Sequence, residues 1–565
     1  MKSNSGIRFS SIRPLVLAAS LLGSTLANAA TPVTYNSSDW YRSWTVNAVK
    51  QQNHIDQNSP FKLSVFPTTH NSFNSKAYAN LNGRYTDPNH LLSIYDQLRA
   101  GIRAVEMDVH WTSHLTGTWP WEWKYSNELL LCHAQGNNVG CHPNDRVFTE
   151  GLDELSRFLN ENPNEVVLLY VEDYMQGHYS EALNMVQSRL GSRIYTSSAH
   201  YGGNGCGELP RELTKAQVRA AGKNLLIMGA GGCGSAWGAV AFQNHFHNTV
   251  DHEKLSGYPN CQIDAMGPNN WQGGLTRAYN DSTILSGQKT MTTAQVETMV
   301  RCGFGAIAPE PLAANDARHT AQVWSWAVNE PNNSTGADVE GENCAEHAAN
   351  GRFNDQSCKV SHRFACQHAG NRGWRITGAS GQWQDGRAAC QNEFGNEGYA
   401  FATPSNGYEN AKLADAKNAA GAGGQSIWLN YADLEQEGYW TAYRPVYAQW
   451  AAGEENRVGC ASLRSSGQYQ SQSCDLAKPV ACQHRVTGEW KVSSRSANFN
   501  GAEAACATEF GIQFGFAVPG NKVLFDALVA TRFDNIWLNL RHLGTNSRMP
   551  GMMLPREAGV IGVAN

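Results

Sequence analysis

At 565 residues the chain is too long for one small fold, and ordinary domain sizes imply a large barrel plus smaller modules. A formal charge of −5, from 44 basic and 49 acidic residues with no Lys/Arg run, excludes a nucleic-acid footprint. Hydrophobic residues make up 41% of the chain, enough to bury a core, which excludes general disorder.

Residues 1–30 read as a secretory signal. Lys2, Arg8 and Arg13 precede an apolar stretch from Pro14 to Leu26, and Ala27-Asn28-Ala29 supplies small residues for cleavage after Ala29 or Ala30. No other stretch reaches about 18 apolar residues, so no transmembrane segment is expected. Export gives meaning to the 14 cysteines, because disulfides persist in an oxidising compartment. There is no Cys-x-x-Cys pair, which argues against structural zinc and thioredoxin-like chemistry.

From about residue 60, apolar runs alternate with amphipathic stretches. The predicted strands are Leu63 to Thr69, Ile102 to Val109, Leu129 to Cys132, Val166 to Val171, Leu225 to Met228, Ala306 to Ala308 and Val323 to Ala327. Predicted helices lie between them at Leu91 to Ala100, Glu150 to Leu159, Ser180 to Leu190, Thr214 to Ala221 and Thr292 to Cys302. This alternation predicts an α/β fold, either a (β/α)8 TIM-like barrel or an open doubly wound sheet. Polar residues come after the first runs: Thr69-His70-Asn71, Cys132-His133 and Glu172-Asp173, with Glu106 and Asp108 inside the second. Barrel enzymes keep their chemistry at the carboxyl ends of strands. Glu106 and Asp108 are two apart and share a face; Val105, Met107 and Val109 take the other. Asn71, Glu106, Asp108 and Glu172 form a hard-oxygen set suited to Ca²⁺, with zinc on the two histidines as the alternative. The imidazoles suit proton transfer and charge stabilisation near neutral pH.

The stretch Thr69-His70-Asn71-Ser72-Phe73, then Gly101 to Val109 and Leu131-Cys132-His133, resembles calcium-dependent phosphatidylinositol-specific phospholipase C. Metal-independent bacterial relatives place an arginine near the position of Asp108. The resemblance implies a barrel over residues 31–326 that cleaves phosphatidylinositol-type lipids to diacylglycerol and a cyclic inositol phosphate, with Ca²⁺ as cofactor. It implies metal ligation by Asn71, Glu106, Asp108 and Glu172, charge stabilisation by His70 and leaving-group protonation by His133. Glu106 is the candidate general base, with Asp173 as the alternative. Glycerophosphodiesterases and sphingomyelinase D share much of this pattern, and a glycan-binding adhesin with a scaffold barrel is a rival class. Trp119, Trp121 and Trp123 read either as a packed rim loop or as residues for a lipid interface.

After residue 324 the texture turns to Gly, Asn and Gln with tryptophans and spaced cysteines, and two segments, Trp326 to Gln367 and Trp450 to Gln483, repeat. They resemble α+β C-type lectin-like modules: a second half at 327–370, a module at 371–485 and a first half at 486–565 that would complete 327–370 by circular permutation. In the first, Glu330-Pro331-Asn332, Glu342 and Asn354-Asp355 match the family's calcium-dependent motif for mannose-type glycans. The middle segment, Gly453-Glu454-Glu455-Asn456 with Gln470-Ser471, departs from it and is expected to bind no calcium. The resemblance implies Cys344–Cys358, Cys460–Cys474, Cys390–Cys482 and, through the permutation, Cys366–Cys506. Proximity alone pairs Cys132 with Cys141, Cys206 with Cys233, and Cys261 with Cys302. The expected partners are thus a phosphoinositide or glycosylphosphatidylinositol lipid at a membrane surface and mannose-type glycans.

Overall fold

The computed structural model describes residues 40–542 and 553–554, except 81–82, 118, 135, 203–204, 231–235, 244–245, 263–273, 285, 335–340, 435–437, 439, 441–447, 455–456, 485–487, 512–513 and 521. Residues 1–30, expected to be a signal segment, and Cys233, Glu455 and Asn456 lie outside these residues. No helix among the described residues is long and apolar enough to cross a membrane.

A helix, α1 (Trp44–Ile55), capped by the Ser43 hydroxyl, precedes the barrel. The parallel strands are β1 (Thr68–Thr69), β2 (Ala104–Thr116), β5 (Val167–Tyr174), β6 (Leu225–Ala230), β7 (Phe242–Gln243), β8 (Asn248–Val250), β9 (Thr276–Tyr279) and β10 (Ala306–Ala308). Hydrogen bonding runs β1-β2-β5-β6-β7 and, separately among the described residues, β8-β9-β10. The ring's seam is drawn together where the Phe66 N–H donates to Gly305 O at 2.6 Å. Helices α2 (Ile94–Arg99), α3 (Phe148–Glu161), α4 (Tyr179–Leu190), α5 (Ser197–Tyr201), α6 (Lys215–Ala220), α7 (Thr293–Arg301) and α8 (Ala317–Ala321) accompany the strands. This is the expected TIM-like architecture.

Strand parity sorts the core. Ala104, Leu168, Tyr170, Leu226, Met228 and Ala306 join Phe61, Phe66 and Leu275 in one cluster that fills the barrel. Val105, Met107, Val109, Leu169 and Val171 pack outward against Leu98, Leu152, Leu155 and Val186 of the helices. Glu106, Asp108 and Glu172 continue the inward rows of β2 and β5 above the apolar plug.

Two predicted strands need correction. The run ending at Cys132 belongs to β3 (Lys124–Leu131), which pairs antiparallel with β2 from Val109↔Leu131 to Thr116↔Lys124, and β4 (Arg146–Val147) extends it. It forms a ribbon with β2 instead of a barrel stave. Val323–Ala327 is no barrel strand either: Trp326 bridges to Phe353, and Ser325 O accepts from the Phe353 N–H. The short strands β7, β8 and β9 have no apolar run to announce them.

Beyond the barrel, β11 (Cys344–His347), β12 (Phe353–Gln356), β13 (Arg363–His368), β14 (Trp374–Ile376), β15 (Tyr399–Phe401) and β16 (Ile427–Ala432) form one sheet, with α9 (Gly386–Phe394) and α10 (Gly407–Ala419). The pattern repeats as β17 (Gly459–Arg464), β18 (Tyr469–Gln472), β19 (Ala481–His484), β20 (Trp490–Val492), β21 (Phe514–Phe516) and β22 (Asn535–His542), with α11 (Ala502–Phe510) and α12 (Lys522–Val529). Strand order shows how the halves combine. Residues 344–368 pair with 374–432, and residues 459–484 pair with 490–542. Each second half is therefore completed by the first half next in the chain, so 371–485 is not one unit and 327–370 is not completed by 486–565.

The disulfides agree with this pairing. Cys344–Cys358, Cys460–Cys474, Cys132–Cys141 and Cys261–Cys302 occur as expected, and Cys206 is disulfide-bonded. In place of Cys366–Cys506 and Cys390–Cys482 the bonds are Cys366–Cys390 and Cys482–Cys506, both with a sequence separation of 24. The cause is local: α9 packs over β13 and α11 crosses beside β19, bringing each helix cysteine to the strand just before it.

The first of these modules shares a core with the barrel, in which Val49, Met299, Phe304 and Trp324 meet Trp326, Phe353, Leu413 and Trp440. Gly407 opens α10 where an added Cβ would lie 2.2 Å from Val300 O, so only glycine lets that helix dock on α7. Peptide mapping without reduction is expected to recover Cys366 linked to Cys390 and Cys482 linked to Cys506; a Cys390–Cys482 peptide would overturn the pairing of halves.

Candidate functional site

Three inward carboxylates cannot share a water-poor barrel mouth without compensation. Asp108 and Glu172 lie side by side in register, and Glu106 sits one inward step below Asp108. Burial first, then Glu172 and Glu106, pushes the Asp108 carboxyl well above the usual carboxylate range. Burial also pushes Glu106 up, while Arg277 and His70 act in the opposite direction. Arg277, on β9, donates from Nη1 to Glu106 Oε2 at 2.8 Å and lies over the Tyr170, Phe246 and Tyr279 rings. The other Glu106 oxygen, Oε1, is buried with no hydrogen-bond partner.

The two histidines sit on separate carboxylates. His70, just after β1, bonds through Nδ1 to Glu310 Oε1 at 2.7 Å and stacks on Tyr279 with ring centroids 4.2 Å apart. Glu310 lies just after β10 and is wholly buried; its Oε2 accepts from Asn89 Nδ2 and the Ser282 N–H, each at 2.8 Å. Burial raises the Glu310 carboxyl to about 7 and lowers the His70 imidazole. The backbone of His70 is pinned in turn, since His90 Nε2 lies 2.6 Å from His70 O.

His133 lies just after β3, held by the Cys132–Cys141 bond, and its Nε2 is 3.8 Å from Asp281 Oδ2. Asn71, at φ 48°, links the groups. With its amide turned to satisfy both neighbours, its nitrogen donates to Asp108 Oδ1 and Oδ2 at 3.3 and 3.0 Å and its oxygen accepts from His133 Nε2 at 3.2 Å. His70, Asn71, Glu106, Asp108, Glu172 and His133 thus gather at one mouth. Asp173 does not: it points outward, accepting from the Tyr179 hydroxyl at 2.7 Å, because it is one residue out of phase with Glu172.

Sequence reasoning missed Arg277, Asp281 and Glu310. The rule that strand ends carry chemistry, applied to Ala306 to Ala308, reaches Glu310 two residues later; Arg277 and Asp281 depend on β9, which no apolar run marks.

Among the described residues, the trio of His, Cys or acidic side chains whose ligand atoms lie within 4.8 Å of one another is His110, Cys132 and Cys141, whose sulfurs are joined in a disulfide. The mouth carboxylates are spread wider, with Arg277 between β9 and Glu106.

In the first lectin-like module, Asp355 accepts from the Asn332 N–H at 3.2 Å and the Asn333 N–H at 2.6 Å, and Asn333 Oδ1 accepts from the Glu342 N–H at 3.0 Å. Burial and Asp355 raise the Glu330 carboxyl to about 7, and its Oε2 is buried without a partner. Glu330, Asn332, Glu342 and Asp355 therefore converge. Asn354 turns away, its amide donating to Asp355 O at 2.6 Å and Glu346 Oε1 at 3.5 Å. In the second module Glu454 Oε2 instead accepts from the Ser471 N–H at 3.1 Å and Oε1 pairs with Arg457 at 2.8 Å.

Substituting Arg277→Met leaves Glu106 buried beside two further carboxylates with no cation. The expected loss is about 3–5 kcal/mol of unfolding free energy in urea, largely restored in the double variant Arg277→Met/Glu106→Gln; equal stability of the single variant would show that the pair carries no charge balance.

The sequence profile of the Rv2075c PI-PLC-like domain matches residues 26–310, and that of the C-type lectin domain matches residues 379–484. The chain is 29% identical over 429 residues to the uncharacterized protein Rv2075c of Mycobacterium tuberculosis, covering 71% of this chain and 82% of that one. It is 26% identical over 138 residues to a PI-PLC X domain-containing protein of Arabidopsis thaliana, covering 24% of this chain and 29% of that protein. Among solved structures, phosphatidylinositol-specific phospholipase C of Staphylococcus aureus aligns with a TM-score of 0.31 at 10% identity over 49% of this chain and 98% of that one. The Ca²⁺-dependent enzyme of Streptomyces antibioticus aligns with a TM-score of 0.24 at 13% identity over 44% and 94%. With half of its length matched by that profile, the chain belongs to the Rv2075c PI-PLC-like domain family and carries a C-type lectin domain behind the barrel.

Proposed function

We propose that the barrel is a calcium-assisted phosphodiesterase that cleaves phosphatidylinositol-type lipids, and that the lectin-like portion directs an exported enzyme to glycosylated surfaces. The observation that carries the reading is the pair of imidazoles, His70 on Glu310 and His133 near Asp281, on either side of the Asn71–Asp108 contact. An imidazole held through one ring nitrogen by a buried carboxylate, as His70 is by Glu310, is oriented to exchange a proton through the other.

The donor set suits a hard cation: Asp108, Glu172 and the orphaned Glu106 Oε1 offer oxygen ligands, and Asn71 would add its own with the amide oxygen turned back toward Asp108. Charge supports the same assignment, because three carboxylates less Arg277 leave two negative charges, the amount one divalent ion neutralises. Bound Ca²⁺ would lower the pKa of an attacking hydroxyl and draw charge from a phosphate oxygen. The base role passes from Glu106 to His70. Glu106 has one oxygen committed to Arg277, whereas burial keeps the His70 ring neutral and ready to accept a proton. His70 then takes the proton of the inositol 2-hydroxyl as its oxygen bonds to phosphorus. His133 delivers a proton to the glycerol oxygen as the phosphorus–oxygen bond breaks, releasing diacylglycerol and a cyclic inositol phosphate. Arg277 holds Glu106 in place through this transfer.

In the lectin-like portion, Glu330, Asn332, Glu342 and Asp355 are the proposed calcium ligands for a mannose-type glycan, with Asn354 reaching the site only after rotation from Glu346. The disulfides support an oxidising compartment.

Pure protein incubated with a headgroup panel is expected to release diacylglycerol from phosphatidylinositol and not from phosphatidylcholine, with turnover lost on chelation and restored by Ca²⁺. His70→Ala and His133→Ala should each lower kcat by roughly 10²–10⁴-fold. Hydrolysis of glycerophosphodiesters or lysophosphatidylcholine alone would move the assignment to those enzyme classes. For the lectin site, retention on immobilised mannose should require Ca²⁺ and disappear in Glu330→Ala, checked by elution with chelator; retention indifferent to both would remove that site.

A further inference from the structure

A cavity of about 560 Å³ lies where α1 meets the first lectin-like module. Trp44, Asn47, Gln51 and His54 are spaced three and four residues apart, so they form one stripe of α1. With Lys50 beside it, that stripe lines the cavity, while Val46, Val49 and Gln52 are buried in the protein. The module contributes Glu330, Pro331 and Trp440. Glu165, which also lines the cavity, stands two residues before β5. The cavity therefore sits at the amino-terminal end of the barrel strands, away from the mouth.

Several of its polar groups are already paired. Glu165 accepts from His54 Nε2 at 3.0 Å on one oxygen and from Arg103 Nε at 2.8 Å on the other. Asn47 Nδ2 donates to Arg42 O at 3.2 Å, and Trp44 Nε1 to Glu330 O at 2.9 Å. Three groups are left over. No hydrogen bond or ion pair among the described residues reaches the Lys50 ammonium. Burial and then Arg103 push it down to about 8, against the pull of Glu165, so it stays protonated at neutral pH. Gln51 Oε1 and Glu330 Oε2 are each buried without a partner. The unmet needs are thus an anionic group for Lys50 and hydroxyls for two oxygens, beside two indole rings that suit the apolar face of a sugar. A simple carboxylate leaves the acceptors and rings unused, and a neutral sugar leaves the ammonium unpaired. We infer that this cavity binds an acidic saccharide, a pyranose unit bearing a carboxylate, with Lys50 as its counter-ion. The site goes beyond the calcium-dependent mannose-type reading, because the charge that selects the ligand comes from the barrel helix. Junctions between folded units are common places for such concave sites.

The test is calorimetric titration of the full chain at neutral pH in the presence of a calcium chelator, with glucuronate, glucose and acetate as probes. Glucuronate and glucose differ only at carbon six, where one carries a carboxylate and the other a hydroxymethyl group. Wild-type protein should bind glucuronate at least about tenfold more tightly than glucose, the size of one charge-assisted hydrogen bond. Acetate at the same concentration should leave glucuronate binding unchanged. Lys50→Gln should bring the two sugars close to parity, whereas Lys50→Arg, which keeps the charge, should retain the preference. Equal affinity of the wild type for both sugars, absence of glucuronate binding, full displacement by acetate, or an undiminished preference in Lys50→Gln would each overturn the proposal. Glucuronate binding that appears only when Ca²⁺ is added would do the same, by moving the ligand to the lectin site. Because the titration holds no free calcium, failure of the calcium-dependent mannose site leaves this result intact.

Discussion

The barrel mouth is organised by the need to balance buried negative charge. Glu106, Asp108, Glu172 and Glu310 lie within one ring of strand ends, with Arg277 as the cation on Glu106 and the His70 and His90 rings beside Glu310. Isolated carboxylates there would carry a large desolvation cost, so each either finds a cation or rises in pKa toward protonation. Glu310 finds hydrogen-bond partners in His70, Asn89 and Ser282 while burial raises it to about 7, Glu106 finds Arg277, and Asp108, left with an amide, is pushed well above the usual carboxylate range. The residual imbalance falls at Asp108 and Glu172, beside both imidazoles.

A second constraint ties the lectin-like portion to the barrel. α1 donates from Trp44 Nε1 to Glu330 O at 2.9 Å, and Asn406 Nδ2 reaches Leu63 O at 2.9 Å ahead of β1. With the shared core around Trp324, Trp326 and Trp440, these contacts make the first module an extension of the barrel wall. The chain leaves α8 directly into Trp324–Ala327, which bridges to β12, so the second half of this module follows the barrel without a break. A fold whose ends lie close together tolerates such reordering, because the strand contacts are unchanged.

Much of the site was legible because period-2 parity survives any tertiary context: Glu106 and Asp108 had to share a face, and Val105 and Met107 the other. Strand direction was less legible. Leu129 to Cys132 reads the same in a parallel stave and in an antiparallel return, and only pairing with β2 distinguishes them. Arg277 was hidden because Thr276-Arg277-Ala278-Tyr279 looks like a surface segment, although Arg277 points inward onto three rings and a carboxylate. Two of the four expected lectin disulfides, Cys366–Cys506 and Cys390–Cys482, failed for a different reason. Two copies of one pattern offer each cysteine two chemically equivalent partners, and spacing alone does not choose between the neighbour and the family order.

The ribbon explains why one correction matters more than the others. Had the run before His133 been a parallel stave, His133 would stand on a rigid barrel end. As the returning arm of a hairpin, it sits at the foot of an element tied back by Cys132–Cys141, by β4, by the Asn138 amide on Trp111 O and by the Leu115 N–H on Pro143 O. Glu106, deeper in β2, is locked between β1 and β5. One strand therefore joins the buried carboxylates to the ribbon, and His133 follows the arm of that ribbon that returns beside it.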